Sequence, residues 1–375
     1  MADVNLYPGD NIQAQVNANP TGTHFYLQAG TYHAQAVQPK HDQWFIGVGT
    51  VVMNGDATAL FAFSGIPGGT GGQRVKLSNL EITNYSPPAR DAVIRPYGAA
   101  YDWVLEDLKV HTNAQWGVRC DNGWQMRRLR IYNNGVMGIG GGGNSNTILE
   151  DSYIYGNNTS HADSHWEAGG SKFLYASGMT VRNNFWYDND GPGIWFDGNT
   201  NGATITGNAC YDNYGPGIDW EINGAALIEN NWTSNNGRDP NWADDYDLGG
   251  SGIVVSNSYD VIIRGNRCLD NQGGIGVGNA NRPGYNLDNV QVTDNFIRHS
   301  ARKSGMAWDV AIPDPSSIVW ANNQYQVNPS YVGFRYGSSF LTLAGWQGVY
   351  PLDRLYVPPT GPTRRLLVVS RLSGR

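Results

Sequence analysis

The sequence predicts an all-β chain wound as a single right-handed parallel β-helix, closed at its start by a short capping helix. Three observations carry that reading. The first is a repeat. Met179–Asn189, Ala203–Asn213, Ala226–Asn236 and Val261–Asn271 align position by position, each with an asparagine pair or Gly-Asn in the middle and Asn at the end. Taking Arg128, Ser152, Asn184, Asn208, Asn231, Asn266 and Asn295 as equivalent gives spacings of 24, 32, 24, 23, 35 and 29 residues. A unit of 23–24 residues recurs, and three longer units carry inserts. The second is composition. Of 375 residues 49 are glycine and only 15% are charged, while 40% are hydrophobic. That suits short strands with apolar inner faces and Gly, Asn or Asp at the corners, and it disfavours helix. The third is alternation. After Gly117, Gly138, Gly193, Gly217, Gly252 and Gly274 the apolar residues recur with period two, as in a strand with one face in a core.

Each unit then reads as strand, turn, strand, turn. The strands after the glycines bury Ile194, Phe196, Ile218, Trp220, Ile253 and Val255. The other strand carries Val181, Ile205, Leu227/Ile228 and Ile262 and ends at an asparagine, a residue that tolerates a left-handed corner and can hydrogen-bond to its counterpart one coil away. About ten coils fit the chain. Cys210 and Cys268 fall at equivalent inward positions with Thr233 between them. Two coils separate them by about 9–10 Å, too far for a disulfide. Asp10–Asn17 reads as an amphipathic helix with Asp10 as N-cap, and Phe340–Trp346 as a closure at the far end. Solenoids need both, because an open terminal coil exposes sheet edge and core. The organisation expected is a cap and first coil over 1–50, the solenoid over 51–335, a second cap over 336–355 and an extended arm over 356–375. The arm holds Arg364, Arg365, Arg371 and Arg375 with no acid after residue 360. It is expected to dock on another surface, a neighbouring subunit first.

A net charge of −7 argues against general nucleic-acid binding. No apolar run approaches the ~20 residues of a membrane span, and residues 1–16 contain no apolar core of a signal peptide. The cysteines, three in all, lack metal-finger spacing.

Gly22-Thr-His-Phe-Tyr-Leu-Gln-Ala-Gly-Thr-Tyr32, followed by coils with paired asparagines, resembles the pectate-lyase-like superfamily of right-handed β-helix proteins over roughly residues 10–350. That superfamily includes polysaccharide lyases, polygalacturonase-type hydrolases, epimerases and phage tailspike or tail proteins. The chain has Asp244-Asp245 but lacks the Gly-His-Gly of the polygalacturonase pattern. The resemblance implies fold and polysaccharide as partner without choosing among these activities.

The inserts are where a repeat protein places function. Thr159–Ala168, with His161, His165 and Glu167, and Gly237–Leu248, with Trp242, Asp244, Asp245 and Asp247, leave the coil at the same corner. Two basic coils lie between them, so they should stand about 14 Å apart along the axis and wall a groove. By alternation Lys172, Trp195, Asp197, Asp219 and Glu221 point outward from one face, beside Gly140, Gly142, Gly276 and Gly278. An aromatic platform next to carboxylates suits sugar binding and glycosidic cleavage. Lys172, Asp197, Asp219 and Glu221 are therefore the candidate catalytic groups, and Trp195, His161, His165, Glu167 and Trp242 the candidate substrate contacts. The same acids also fit a face that is solvated, paired with Lys172 or holding a cation. Asp244, Asp245 and Asp247 could hold calcium through oxygen ligands; no other cofactor is indicated. The function this supports is recognition of a cell-surface or extracellular polysaccharide by a tail or tailspike protein of a virion, alone as a trimer or with other virion subunits. The alternative is a secreted lyase, hydrolase or epimerase.

Overall fold

The computed structural model describes residues 3–66, 72–98, 100–239, 248–279, 282, 284–298, 303–309 and 317–356. Among them the strands form a 24-stranded and a 12-stranded sheet. The ladders between strands are parallel, save where Phe334–Tyr336 meets Ser339–Leu341. One coil shows the plan. Thr180–Arg182 and Phe185–Tyr187 lie in the larger sheet, and Ile194–Asp197 lies in the smaller. Each pairs with its counterpart one coil on: Ala203–Thr206, Ala209–Tyr211 and Ile218–Glu221. A coil thus has three strands, not the two that alternation suggested. The segment Met179–Asn189 reads as one extended stretch, but Asn183 sits at φ +57° and turns it into two.

Two asparagine ladders hold these bends. In one, Asn184, Asn208, Asn231, Asn266, Asn295 and Asn323 follow each other coil by coil. From Asn208 onward, the Oδ1 of each accepts from both the N–H and the Nδ2 of the residue before it, at 2.9–3.0 Å. The second runs through Asn113, Asn134, Asn157, Asn189, Asn213, Asn236 and Asn271. Such buried amides are satisfied only in register, so the ladders fix coil alignment as well as stabilise it. They also correct one equivalence. Ser152 Oγ accepts from Leu129 N, which makes Leu129 the ladder position. Arg128 is the left-handed corner beside it, at φ +55°, and pairs with Asp107.

The core is as the alternation requires. Ile194, Phe196, Ile218, Trp220, Ile253 and Val255 are wholly buried. Phe173, Phe196 and Trp220 stack along the axis at 5.0 and 5.2 Å between ring centroids. Cys210 lies opposite Thr233 and Thr233 opposite Cys268, and all three cysteines are free.

Helix α1, Ile12–Ala18, closes the first coil with Ile12 and Val16 buried. Its N-cap is Asn11, whose side chain accepts from Ala14 N at 2.9 Å. Asp10 instead accepts from Tyr7 N in the preceding turn, so the expected cap is one residue early. At the far end α2, Leu343–Val349, is capped by Thr342 and buries Leu343 and Trp346. Phe340 precedes it on an exposed strand and covers no core. Of the expected arm only Tyr356 is described; 357–375, with its arginines, lies outside the described residues. No helix among the described residues is long and apolar enough to cross a membrane.

Candidate functional site at the insert corner

Both inserts follow residues of the second asparagine ladder, Asn157 and Asn236, which places them at one corner of the solenoid. The first folds back through turns in which Trp166 N and Glu167 N both donate to the Asp163 carbonyl at 3.2 Å. The second is described at Gly237–Asp239 and again from Leu248. Trp242, Asp244, Asp245 and Asp247 lie outside the described residues. Among the described residues no group of three or more His, Cys, Asp or Glu could hold a metal ion.

Between the first insert and the start of the second runs a groove of about 740 Å³, lined among others by His161, His165, Asp188, Asp190, Tyr214 and Arg238. His161 Nδ1 is 2.7 Å from Asp190 Oδ2. Arg238 reaches Asp188 at 3.2 Å and the Asp212 carbonyl at 3.1 Å, and its guanidinium lies 5.0 Å from the Tyr214 ring centroid. Burial raises the Asp188 carboxyl above the ordinary aspartate range, Asp212 adds to the rise, and Arg238 offsets part of it. A carboxyl so placed can hold a proton that an ordinary aspartate releases. His165 stands 3.7 Å from Asp163 and does not share a ligand with His161. Glu167 turns away to pair with Arg90 at 2.8 Å.

The outward patch on the 12-stranded sheet has the expected register. Asp219 lies opposite Trp195 and Glu221 opposite Asp197. Phe173 opposite Phe196 and Leu174 opposite Asp197 put Lys172 next to Trp195. Its exposure differs from expectation: Trp195 is 2% and Asp219 6% exposed, so Trp195 is no open platform. Lys172 covers the Trp195 ring. Its Nζ pairs with Asp197 at 2.9 Å, donates to the Trp166 carbonyl at 2.6 Å and sits 3.5 Å from the Trp195 ring centroid. A cation held so closely over an indole takes up the face a sugar would need. Glu221 is likewise paired, with Arg282 at 2.6 Å. The exposed aromatic here is Trp166 on the first insert, at 60%.

Tyr214, Arg238, Asp188 and Asp190 were not singled out from the sequence. A signal for Asp188 was present. The recurring Tyr187-Asp188-Asn189 and Tyr211-Asp212-Asn213 put Asp188 and Asp212 in one column beside the ladder. Arg238 carried none, because its partner is set by the path of an aperiodic insert.

With this geometry in place, comparison with known proteins addresses the fold. Residues 94–241 match the family model described as right handed beta helix region. No curated protein matches. Among solved structures, the A-module of mannuronan C-5 epimerase AlgE6 from Azotobacter vinelandii is 15% identical with a TM-score of 0.63, covering 93% of this chain and 94% of that one. The catalytic unit of a thermostable GH87 alpha-1,3-glucanase from Streptomyces thermodiastaticus is 13% identical with a TM-score of 0.61, covering 92% and 64%. The Dettilon tailspike protein is 12% identical with a TM-score of 0.50, covering 90% and 60%. The chain is a right-handed parallel β-helix, and the likeness to the pectate-lyase-like superfamily read from its sequence is a likeness of fold.

Proposed function

We propose that this chain binds an extracellular or cell-surface polysaccharide in the groove at its insert corner, as a recognition protein of the tail or tailspike kind. The observation that carries the reading is the groove itself, formed where two successive departures from the repeat leave the same corner. Its rim offers what sugars need: a tyrosine ring, a histidine–carboxylate pair, an arginine and further carboxylates, with Trp166 exposed on the same insert. The fold supports the reading by company. It is shared with proteins named for mannuronan and for alpha-1,3-glucan and with a tailspike. Assembly as a trimer or with other virion subunits goes with this reading.

Tyr214→Ala is expected to weaken glycan binding by about 1–3 kcal/mol, the scale of losing an aromatic contact in a binding site. Calorimetric titration against the best ligand from a polysaccharide panel measures it. An unchanged affinity removes Tyr214, and with it this groove, from the site.

One observation favours a second reading, an enzyme acting on the same polymer. Asp188, with its raised carboxyl, and the hydrogen-bonded His161–Asp190 pair line one groove, and a carboxyl that keeps its proton beside an imidazole is raw material for acid–base catalysis. In that reading Asp190 holds the imidazole, while Asp188 supplies the proton to a leaving oxygen. Release of reducing ends, or of unsaturated sugar products, that disappears in Asp188→Asn would establish it. Binding without product leaves recognition as the function.

A further inference from the structure

On the 24-stranded sheet, away from the insert groove, the last strand of each coil sends two columns of side chains outward. Over four coils one column is Tyr153, Phe185, Ala209 and Trp232. The other is Tyr155, Tyr187, Tyr211 and Ser234. None of these residues is charged, and all are half-buried, with an edge left open to solvent. The rings stack at 4.7–4.9 Å between centroids. The four tyrosine hydroxyls meet no partner among the described residues. At Ala209 the first column is interrupted. Ala209 lies opposite Phe185 on one side and Trp232 on the other, so a notch one residue wide stands between two rings. The neighbouring strand of the same sheet differs: its outer face carries charges that are paired, Arg182 with Glu150 and Arg264 with Glu229. An uncharged aromatic strip beside such a face marks an interaction surface.

The path of the chain says what reaches this strip. Arg354–Leu355 adds one more strand to the same ladder, and Tyr356 N donates to the Tyr325 carbonyl at 2.9 Å. The Tyr356 ring then leans back to meet Phe296 edge-on at 4.9 Å. Phe296 lies in the column of Ala209, reached through Trp232 and Arg267. The next residues, Val357-Pro-Pro-Thr-Gly-Pro-Thr363, are uncharged, and Arg364-Arg365-Leu366-Leu-Val-Val369 follows. From the coil of Tyr356 to that of Ala209 is five strand spacings, about 24 Å. Ten residues separate Tyr356 from Leu366 and reach up to ~32 Å at ~3.1–3.3 Å each. The charges also match. Residues 357–375 hold four arginines and no acid. Asp188 and Asp212 flank the strip, directly after Tyr187 and Tyr211. Asp212 accepts from the Asn235 amide and pairs with no cation among the described residues.

We propose that residues 364–369 lie back along this strip of their own chain, with Leu366 in the notch at Ala209 and the Arg364–Arg365 pair beside Asp212. The open faces of Phe185 and Trp232 supply apolar contact on either side of the leucine. The tyrosine hydroxyls donate to carbonyls of the segment, and the arginines relieve the repulsion between Asp188 and Asp212. The segment thus covers the aromatic strip of the chain that carries it.

Two measurements test this. The first is hydroxyl-radical footprinting read by mass spectrometry on the full chain and on one ending at Tyr356. Truncation is expected to raise labelling of Phe185, Tyr187 and Trp232 several-fold while exposed Tyr7, at the far end, stays as it was. Unaltered labelling of the strip overturns the proposal. The second uses disulfide formation under mild oxidant, the natural cysteines being buried and free. Ala209→Cys with Leu366→Cys should close within one chain at least ten-fold faster than Thr204→Cys with Leu366→Cys, whose first partner lies in the same coil on the neighbouring strand. Adding Arg364→Glu and Arg365→Glu should slow the first pair several-fold. Equal rates for the two pairs overturn the docking site. A disulfide formed only between chains assigns the strip to a neighbouring copy and overturns the proposal as well.

Discussion

Asn208→Ala is expected to lower the free energy of unfolding by about 4 kcal/mol, the combined scale of two buried polar groups left without partners at ~1–3 kcal/mol each and the packing of the removed amide. Asn208 is 1% exposed and stands mid-ladder. Its Oδ1 accepts from the N–H and Nδ2 of Asn184 at 3.0 Å each, and its Nδ2 donates to the Val181 carbonyl at 2.9 Å and to Asn231 Oδ1 at 3.0 Å. Alanine leaves the Asn184 N–H without its acceptor and takes a donor from Val181 and from Asn231, where no water reaches. Asparagine fits because it carries acceptor and donors on one short side chain; leucine or aspartate supplies only part of that set. Guanidinium unfolding followed by tryptophan fluorescence measures the loss. A cost below about 1 kcal/mol, the worth of one ordinary hydrogen bond, would show that the ladder aligns coils without stabilising them.

The same ladder ends on Asp353, and its removal is the second large effect. Asp353 Oδ1 accepts from the N–H and Nδ2 of Asn323, and Oδ2 accepts from Tyr325 OH at 2.8 Å and Trp346 Nε1 at 2.9 Å. One carboxylate thus terminates the ladder and ties down α2, which closes the core. Asp353→Ala is expected to cost about 4 kcal/mol by leaving these donors unmet. The carboxyl also gives a pH dependence. Burial raises its pKa above the ordinary aspartate value, and the hydrogen bonds from Trp346, Tyr325 and Asn323 offset only part of the rise. The folded chain therefore keeps this proton to a higher pH than the unfolded chain does. From the ordinary carboxylate pKa up to the folded one, this group's contribution to stability falls as pH rises. Asp353→Asn cannot ionise and lacks that slope. Thermal midpoints of the two chains compared across acidic pH should show the wild-type advantage largest at low pH and shrinking as pH rises; an advantage that grows with pH contradicts it.

What could be read from the sequence was what repeats. The inward set Ile194, Phe196, Ile218 and Trp220 followed from alternation after glycine, because strand geometry sends successive side chains to opposite faces wherever the strand lies. The outward register of Lys172, Trp195 and Asp219 followed for the same reason. Exposure did not follow, because alternation gives direction and says nothing of cover. Trp195 is hidden by Lys172, which is held in part by the Trp166 carbonyl, and Trp166 belongs to an aperiodic insert. The third strand was missed because Asn183 and Asn184 look alike in sequence, yet one forms the left-handed corner and the other the ladder. Groove residues such as Arg238 come together only through tertiary contact with Asp188 and Tyr214, 50 and 24 residues earlier in the chain.

The central claim is that the insert corner is where polysaccharide binds. The spacing from Ser152 to Asn184 is 32 residues, against 24 from Asn184 to Asn208. Removing residues 160–167 brings that coil back to the length of its neighbour, which turns the same corner through Asp190 and Gly191. The measurement is affinity for the best glycan by calorimetry, on the full chain and on this shortened one, with far-UV circular dichroism to confirm that the β-helix persists. The account predicts an intact solenoid that has lost binding by at least ten-fold. An intact solenoid that binds as before would contradict it.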